Sequence, residues 1–245
     1  MLDLHASLPD RVSLLNATEN HPFVRFSTRA GDASGYVSAS ATVWTGSRSL
    51  RRMVGGLGHG PAALTIVTEL YARGELSDGV RAELPRMDHA YVTDVFPNVH
   101  VVDWDLRWLL AEPVSVPGED RVELLGESDH EAINEILDAA MDDAHVRPGA
   151  ERVAGWYGIR DGADLVAVAA DTSTPGFGFL NSVAVRPDRH GHGLGSALTT
   201  ALARRQYAEC EAVLLGVWAD NVSASRLYDR LGYTGLHQIT AFTLR

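Results

Sequence analysis

Three glycines, Gly191, Gly193 and Gly195, lie between a stretch that reads as a strand, Leu180 to Val185, and apolar residues at helical spacing, Leu194, Ala197, Leu198, Ala201 and Leu202. Branched Val183 and Val185 favour the strand, and Pro187 ends its ladder because it has no N–H to donate. A helix that opens from glycines presents unpaired N–H groups and the positive end of its dipole, with no side chains in the way. The chemistry this allows is anion binding, of a phosphate or diphosphate above all, by the backbone of Gly191 to Ser196.

Two common phosphate-binding classes are excluded by detail. A Walker loop needs Lys and then Ser or Thr after its glycines, and the chain contains no lysine. A dinucleotide unit wants an acidic residue at the tip of the next strand. Here the next strand, Ala212 to Trp218, runs into Ala219-Asp220-Asn221, and a second helix begins at once.

That second helix carries Asn221, Leu227-Tyr228 and Leu231-Gly232-Tyr233. With the glycine loop it resembles the GNAT superfamily of N-acyltransferases, whose acyl-coenzyme A loop is followed by a strand and an Asn…Leu-Tyr…Leu-Gly-Phe/Tyr helix. Gly193 and Gly195 match the paired loop glycines, Asn221 the asparagine and Tyr228 the tyrosine. His190 departs from the pattern, standing where the family usually has Gln or Arg, although Arg189 precedes it. The resemblance covers roughly residues 121–245.

The resemblance implies acetyl-coenzyme A, or another short acyl-coenzyme A, as cosubstrate, and no metal. The diphosphate would lie on His190, Gly191, His192, Gly193, Leu194, Gly195 and Ser196, and the pantetheine would pair with the backbone of Val183, Ala184 and Val185 like an added strand. Asn221 would bond the coenzyme, although Asn is also a favoured helix N-cap. Tyr228 would donate a hydrogen bond or proton to the departing thiolate, although a half-buried aromatic inside a helix can equally be packing. Complete proton loss from a phenol of pKa near 10 to a thiol of pKa near 8.5 is uphill by roughly 2 kcal/mol, which favours stabilisation of the sulfur over transfer.

The reaction expected is direct attack of an amine on the acyl group in a ternary complex. An amine of pKa near 10.4 is neutral in only about one molecule in 2,500 at pH 7, a cost of roughly 4.6 kcal/mol without assistance. Many relatives place a carboxylate on the strand before the loop. This chain has Asn181 and Ser182 there, neither of them a base. Asp171, Asp142, Asp143, His145 and His192 are candidates by residue type, and each also reads as solvated surface. Two rival readings stay open: an acyl-coenzyme A-binding sensor that has lost catalysis, and a structural protein whose first half binds another macromolecule.

The elements that position these residues follow from composition and pattern. The chain has 245 residues, 45% hydrophobic and 22% charged, with a formal net charge of -11. This fits a globular protein and argues against a nucleic-acid partner, which needs a basic face. The N-terminus lacks a basic region followed by an apolar run, and no apolar segment is long enough to span a bilayer, so a cytoplasmic protein without membrane contact is expected. The expected partner is a small-molecule or peptide amine, with a homodimer left open. Cys210, alone in the chain and read as lying within the helix after the loop, is expected to be a small packing residue.

The fold class expected is α/β with a mixed sheet, a GNAT-like domain at 121–245 preceded by a smaller α/β domain at 1–112 that covers the acceptor site. A Pro- and Gly-containing linker falls at 113–120. In the first half, Phe23 to Phe26 and Tyr36 to Trp44 read as strands around a turn at Gly31 to Gly35. Gly55 to Pro61 reads as a glycine loop opening a helix from about Ala62 to Arg73; it is either a faded repeat of the loop at Gly193, without a following Asn…Tyr helix, or no more than a glycine-capped helix. Ala90 to Val95 and Val99 to Val102 read as strand material, and Trp104 to Leu110 as a buried aromatic stripe. In the second half, Val122 to Leu125 reads as a strand, Ser128 or Asp129 as the cap of a helix from Glu131 to about Asp143, and Trp156 to Arg160 with Leu165 to Ala170 as a hairpin turning at Asp161-Gly162. The last strand is expected near Ile239 to Leu244.

Overall fold

In the computed structural model of the chain, residues 6–28, 33–48, 51–141 and 144–245 are described. The first half contains β1 (Ala6–Leu8), α1 (Arg11–Ala17), α2 (Pro22–Ser27), β2 (Ser34–Val37), β3 (Ala41–Arg48), β4 (Arg51–Gly58), α3 (Gly60–Ala72), β5 (Arg81–Pro85), α4 (His89–Val95) and β6 (Val102–Trp108). The second contains β7 (Glu123–Leu125), α5 (His130–Ala140), β8 (Gly155–Asp161), β9 (Asp164–Asp171), β10 (Phe177–Val185), α6 (Leu194–Glu209), β11 (Ala212–Trp218), α7 (Val222–Arg230) and β12 (Gly235–Thr243). The two halves repeat one order, three strands then helix, strand, helix and strand. The chain forms two compact units, Met1–Leu106 with His237–Arg245, and Arg107–Leu236.

The stretch 113–120 therefore lies inside the second unit. Arg204 of α6 holds it there, reaching Glu112 at 2.9 Å, Glu119 at 3.1 Å and the Pro113 carbonyl at 3.1 Å. The last strand belongs to the first unit, where Ile239 to Thr243 pair antiparallel with Pro85 to Arg81 of β5.

In the first unit the strands run in the order β1-β2-β3-β4-β5, with β12 beyond β5, and only β4 and β5 are parallel. Several expectations for this half are corrected. Phe23 to Phe26 is helical: His21 caps Phe23 N–H through its ring nitrogen and Pro22 presets the first turn, while Phe23, Val24 and Phe26 are buried. Tyr36 to Trp44 is a hairpin, β2 pairing with β3 around a turn closed by Ser38 and Ala41. Gly55 and Gly56 are strand residues, paired with Trp44 and Val43 of β3, and glycine stands at 55 because a Cβ there would be 2.5 Å from the Trp44 ring. Ala90 to Val95 is α4, capped by Asp88 on Ala90 N–H at 2.9 Å. This helix is the counterpart of α7 that the pattern did not reveal. Seven residues after its cap stands Val95, where α7 has Tyr228. Of the turn expected at Gly31 to Gly35, Gly31 and Asp32 lie outside the described residues, and Ser34 and Gly35 are not turn residues but the start of β2.

His237 gives this unit an acid-sensitive point. It is buried against Phe23, with ring centroids 4.7 Å apart, and bonds the Gly56 backbone, and burial pushes its pKa down to about 3, with His21 adding repulsion. An imidazole that is neutral when folded but protonates near pH 6.5 when unfolded leaves stability intact above pH 6.5. Stability then falls by about 1.4 kcal/mol per pH unit as the pH drops toward 3. His237→Leu is expected to remove that increment, so urea unfolding midpoints measured from pH 7 to 4.5 should decline less steeply than in the parent. Parallel slopes would assign the acid sensitivity elsewhere.

In the second unit the order is β11-β10-β9-β8-β7, antiparallel except for β10 with β11. Leu198, Leu202, Ala203, Val213, Leu215 and Val217 pack on the α6 face, and Ile133, Ile136, Leu137, Val146, Val168 and Ala184 on the α5 face. The hairpin, β11 and α7 fall where the pattern places them. Asp129 caps no N–H of α5; its carboxylate instead takes Gly126 N–H and Arg160.

Candidate active site

The parallel pairing of β10 with β11 covers only Phe177 to Leu180 against Ala212 to Leu215. Beyond it β10 continues to Val185 and β11 to Trp218 with no register between them, so both facing edges lack a strand partner at this end. An unpaired edge is a template for an extended amide-bearing ligand.

A bulge sits at this point. The β9 register shifts between Asn181 and Ala184, and Ser182 has φ 46°, a left-handed value uncommon for a side-chain-bearing residue. The Asn181 side chain accepts Ser182 N–H at 2.8 Å, and Ser182 Oγ donates to the Val146 carbonyl at 3.0 Å. The extra residue reverses parity. Leu180 packs on the α6 face, and after the bulge it is Val183 and Val185 that return there, while Ala184 turns to α5. The sequence pattern gives no sign of this bulge, since neither residue is a glycine.

The loop after β10 is open. Gly191 and Gly193 have φ 81° and 76°, and a Cβ at either would meet nothing within 4 Å. Gly193 is the N-cap of α6 without a side-chain cap, which leaves the first-turn N–H groups of Leu194, Gly195 and Ser196 without intrahelical acceptors. His190 Nε2 lies 3.0 Å from the Val185 carbonyl, and His192 Nδ1 lies 3.1 and 3.0 Å from the carbonyls of Arg189 and His190. Carbonyls only accept, so each of these nitrogens carries its proton, and both histidines brace the loop. The Val185 carbonyl is thereby engaged by His190. Arg186 and Arg189 stand at the loop with Asp188 and Asp161 as exposed partners, pairs weak enough for an incoming anion to compete.

The equivalent place in the first unit is closed. Only His59 separates β4 from α3, and a Cβ at Gly58 or Gly60 would stand 2.3 Å from the Ser40 carbonyl or 2.6 Å from the Pro85 carbonyl.

α7 borders the open loop, since a Cβ at Gly195 would be 3.5 Å from Leu227 and 3.7 Å from Val185. Asn221 caps this helix through Ala224 N–H at 3.0 Å, which uses the side-chain oxygen and leaves the amide N–H groups to donate. Tyr228 is buried on the α6 face, edge to face with Tyr233 at 5.9 Å. Burial pushes its pKa up to about 12, against the opposing charge of Arg107. Arg107, itself buried, pairs with Asp229 and reaches the Tyr233 carbonyl at 3.4 Å. Sequence reasoning missed both Arg107, on a strand distant in sequence, and the buried Tyr233 hydroxyl, which has no partner among the described residues.

Among the candidate bases, Asp171 accepts from Ser173 N–H and Gln206 at 2.9 and 2.8 Å, a structural role at the far end of β9. His192 is part of the loop brace. Asp142 and Asp143 lie outside the described residues. His145 precedes the Val146 carbonyl that Ser182 holds, with its ring edge-on to Trp218 at 6.3 Å. Cys210 is the C-cap of α6 and not an interior helix residue, and burial pushes its thiol up, away from thiolate character.

Residues 156–241 match the family model described as FR47-like protein. The mycothiol acetyltransferase of Mycobacterium avium (strain 104) is 39% identical over 111 residues, 42% of this chain and 32% of that protein. The mycothiol acetyltransferase of Rhodococcus opacus (strain B4) is 44% identical over 69 residues, 28% of this chain and 23% of its own. These matches thus span a third or less of each relative's length. Among solved structures, one from Novosphingobium aromaticivorans DSM 12444 assigned to the GNAT acetyltransferase family aligns with TM-score 0.55 and 20% identity over 94% of this chain and 95% of its own. A Drosophila protein aligns with TM-score 0.53 and 15% identity over 96% and 86%. The chain has the fold of GNAT acetyltransferases, and its residues 156–241 match the FR47-like model.

Proposed function

We propose that this protein is an N-acetyltransferase that moves an acetyl group from acetyl-coenzyme A to an amine by direct attack in a ternary complex. The observation that carries this reading is the coincidence, at one end of the second unit's sheet, of an open glycine loop at a helix start, an unpaired length of β10 and a buried phenol on the bordering helix. Each suits one part of the coenzyme. The first-turn N–H groups of α6 meet the diphosphate, the edge of β10 from Val183 to the Val185 N–H meets the pantetheine amides, and Tyr228 faces the sulfur. The mycothiol acetyltransferases among the relatives support acetyl transfer, and they make a mycothiol-related amine the first acceptor to test. No helix among the described residues is long and apolar enough to cross a membrane, and a cytoplasmic location is proposed with the rest.

The test is thiol release from acetyl-coenzyme A with a mycothiol-related amine, glucosamine, spermidine and a short peptide as acceptors, beside calorimetric titration with acetyl-coenzyme A. One binding site per chain and amine-dependent release are expected. Binding with no release above hydrolysis for any amine would mark a sensor, and absence of binding would refute the reading outright.

A further inference from the structure

Direct attack divides the labour between two sides of the thioester. The sulfur departs on one side, and the amine arrives, and must lose a proton, on the other. Tyr228 packs on the α6 face of the sheet, with Leu215 and Val217 of β11. The group that receives the amine's proton therefore belongs on the α5 face, beside the gap between β10 and β11.

The residues on that face are identifiable. Val213, Leu215 and Val217 point toward α6, so the alternation of β11 turns Trp218 to the α5 side. Val146, in the core beneath α5, is tied to the bulge by Ser182. His145, one residue before it, contacts Trp218 across the ends of the two strands. The ring is exposed, and neither of its nitrogens has a partner among the described residues. Among the described residues, the surrounding polar groups do not offer a competing base. Asn181 and Ser182 are neutral and bonded to each other, Arg152 donates to the His145 carbonyl at 3.3 Å, and Arg147 is paired with Asp138 at 2.8 Å. Imidazole is also the side chain whose ordinary titration lies closest to neutral pH, where a base that must alternate between its two forms works best.

We infer that His145 is the proton acceptor for the incoming amine, directly or through one water, with Trp218 fixing its ring at the acceptor side of the β10–β11 gap. The inference rests on the acetyltransferase reading above. The ammonium gives one proton to the imidazole, which passes it to solvent. The neutral nitrogen then bonds to the acetyl carbon as the C–S bond breaks, and the second nitrogen proton ends on the thiolate, giving amide and free thiol.

The experiment compares the parent with His145→Gln and His145→Phe, using whichever of the four acceptors gives the most thiol release. Both variants are expected to bind acetyl-coenzyme A as the parent does. Both should lose about 10²–10⁴-fold in kcat/KM at pH 7, the range for positioned general bases, with the deficit shrinking as pH rises toward the pKa of the amine itself. His145→Phe keeps the edge-on contact with Trp218. A phenylalanine variant near parental activity, or a deficit that does not change with pH, would reduce His145 to packing and overturn the inference while the acetyltransferase reading stands. A parent that turns over none of the four amines removes that reading and this inference with it.

Discussion

Tyr228→Phe is expected to cut turnover by about 10–100-fold while leaving acetyl-coenzyme A binding little changed. The change deletes one hydroxyl and keeps the ring that packs on Tyr233. With its pKa near 12, the phenol would lose about 5 kcal/mol in passing its proton fully to a thiol of ordinary pKa near 8.5. That exceeds the roughly 2 kcal/mol expected from unperturbed values, so the structure strengthens the case that Tyr228 keeps its proton and donates a hydrogen bond to the developing thiolate. A hydrogen bond to a charged partner is worth about 1.5–3 kcal/mol, and each 1.36 kcal/mol is tenfold in rate. The loss belongs in kcat, because a neutral thioester sulfur attracts the hydroxyl far less than a thiolate does. An unchanged rate under conditions where chemistry limits turnover would leave Tyr228 with packing alone.

Arg107 shows why this part of the site was illegible in sequence. Nothing in Trp104-Asp105-Leu106-Arg107-Trp108 singles out the arginine, which reads as one of two polar members of an aromatic stripe. Only folding brings it beside Asp229 and the Tyr233 carbonyl, residues more than 120 positions away. By contrast, the loop and the helices α6 and α7 were legible, because glycines, caps and apolar periodicity are local signals that tertiary packing did not override. The first half misled for a physical reason. Phe23-Val24-Arg25-Phe26 is apolar enough to be buried in either geometry, and the cap from His21 with Pro22 selects the helix. At Gly55 the glycine serves not a loop but the flat approach of the Trp44 ring to a strand. Composition cannot distinguish a glycine that makes room for a ligand from one that makes room for an indole.

Gly193→Val and Gly195→Val test that distinction directly at the open loop, and both are expected to weaken acetyl-coenzyme A binding by about 10²–10⁴-fold. At Gly193 the positive φ strains any branched residue, and its side chain would enter the space left before the first turn of α6. At Gly195 the backbone is helical and tolerates a Cβ, but valine's two further methyls would fill the wedge between Leu227, Val185 and the N–H groups of that turn. Displacing a diphosphate from two of those donors forfeits about 3–6 kcal/mol at 1.5–3 kcal/mol for each charged hydrogen bond. Backbone strain alone must be separated from this, and Gly162 supplies the control. It too has a positive φ, 64°, with nothing near its Cβ, but it lies in the β8–β9 turn. Gly162→Val is expected to cost stability comparable to Gly193→Val, read from urea midpoints, with coenzyme binding intact by calorimetry. If the folded Gly193 and Gly195 variants bind acetyl-coenzyme A as tightly as Gly162→Val does, the diphosphate does not lie on this loop.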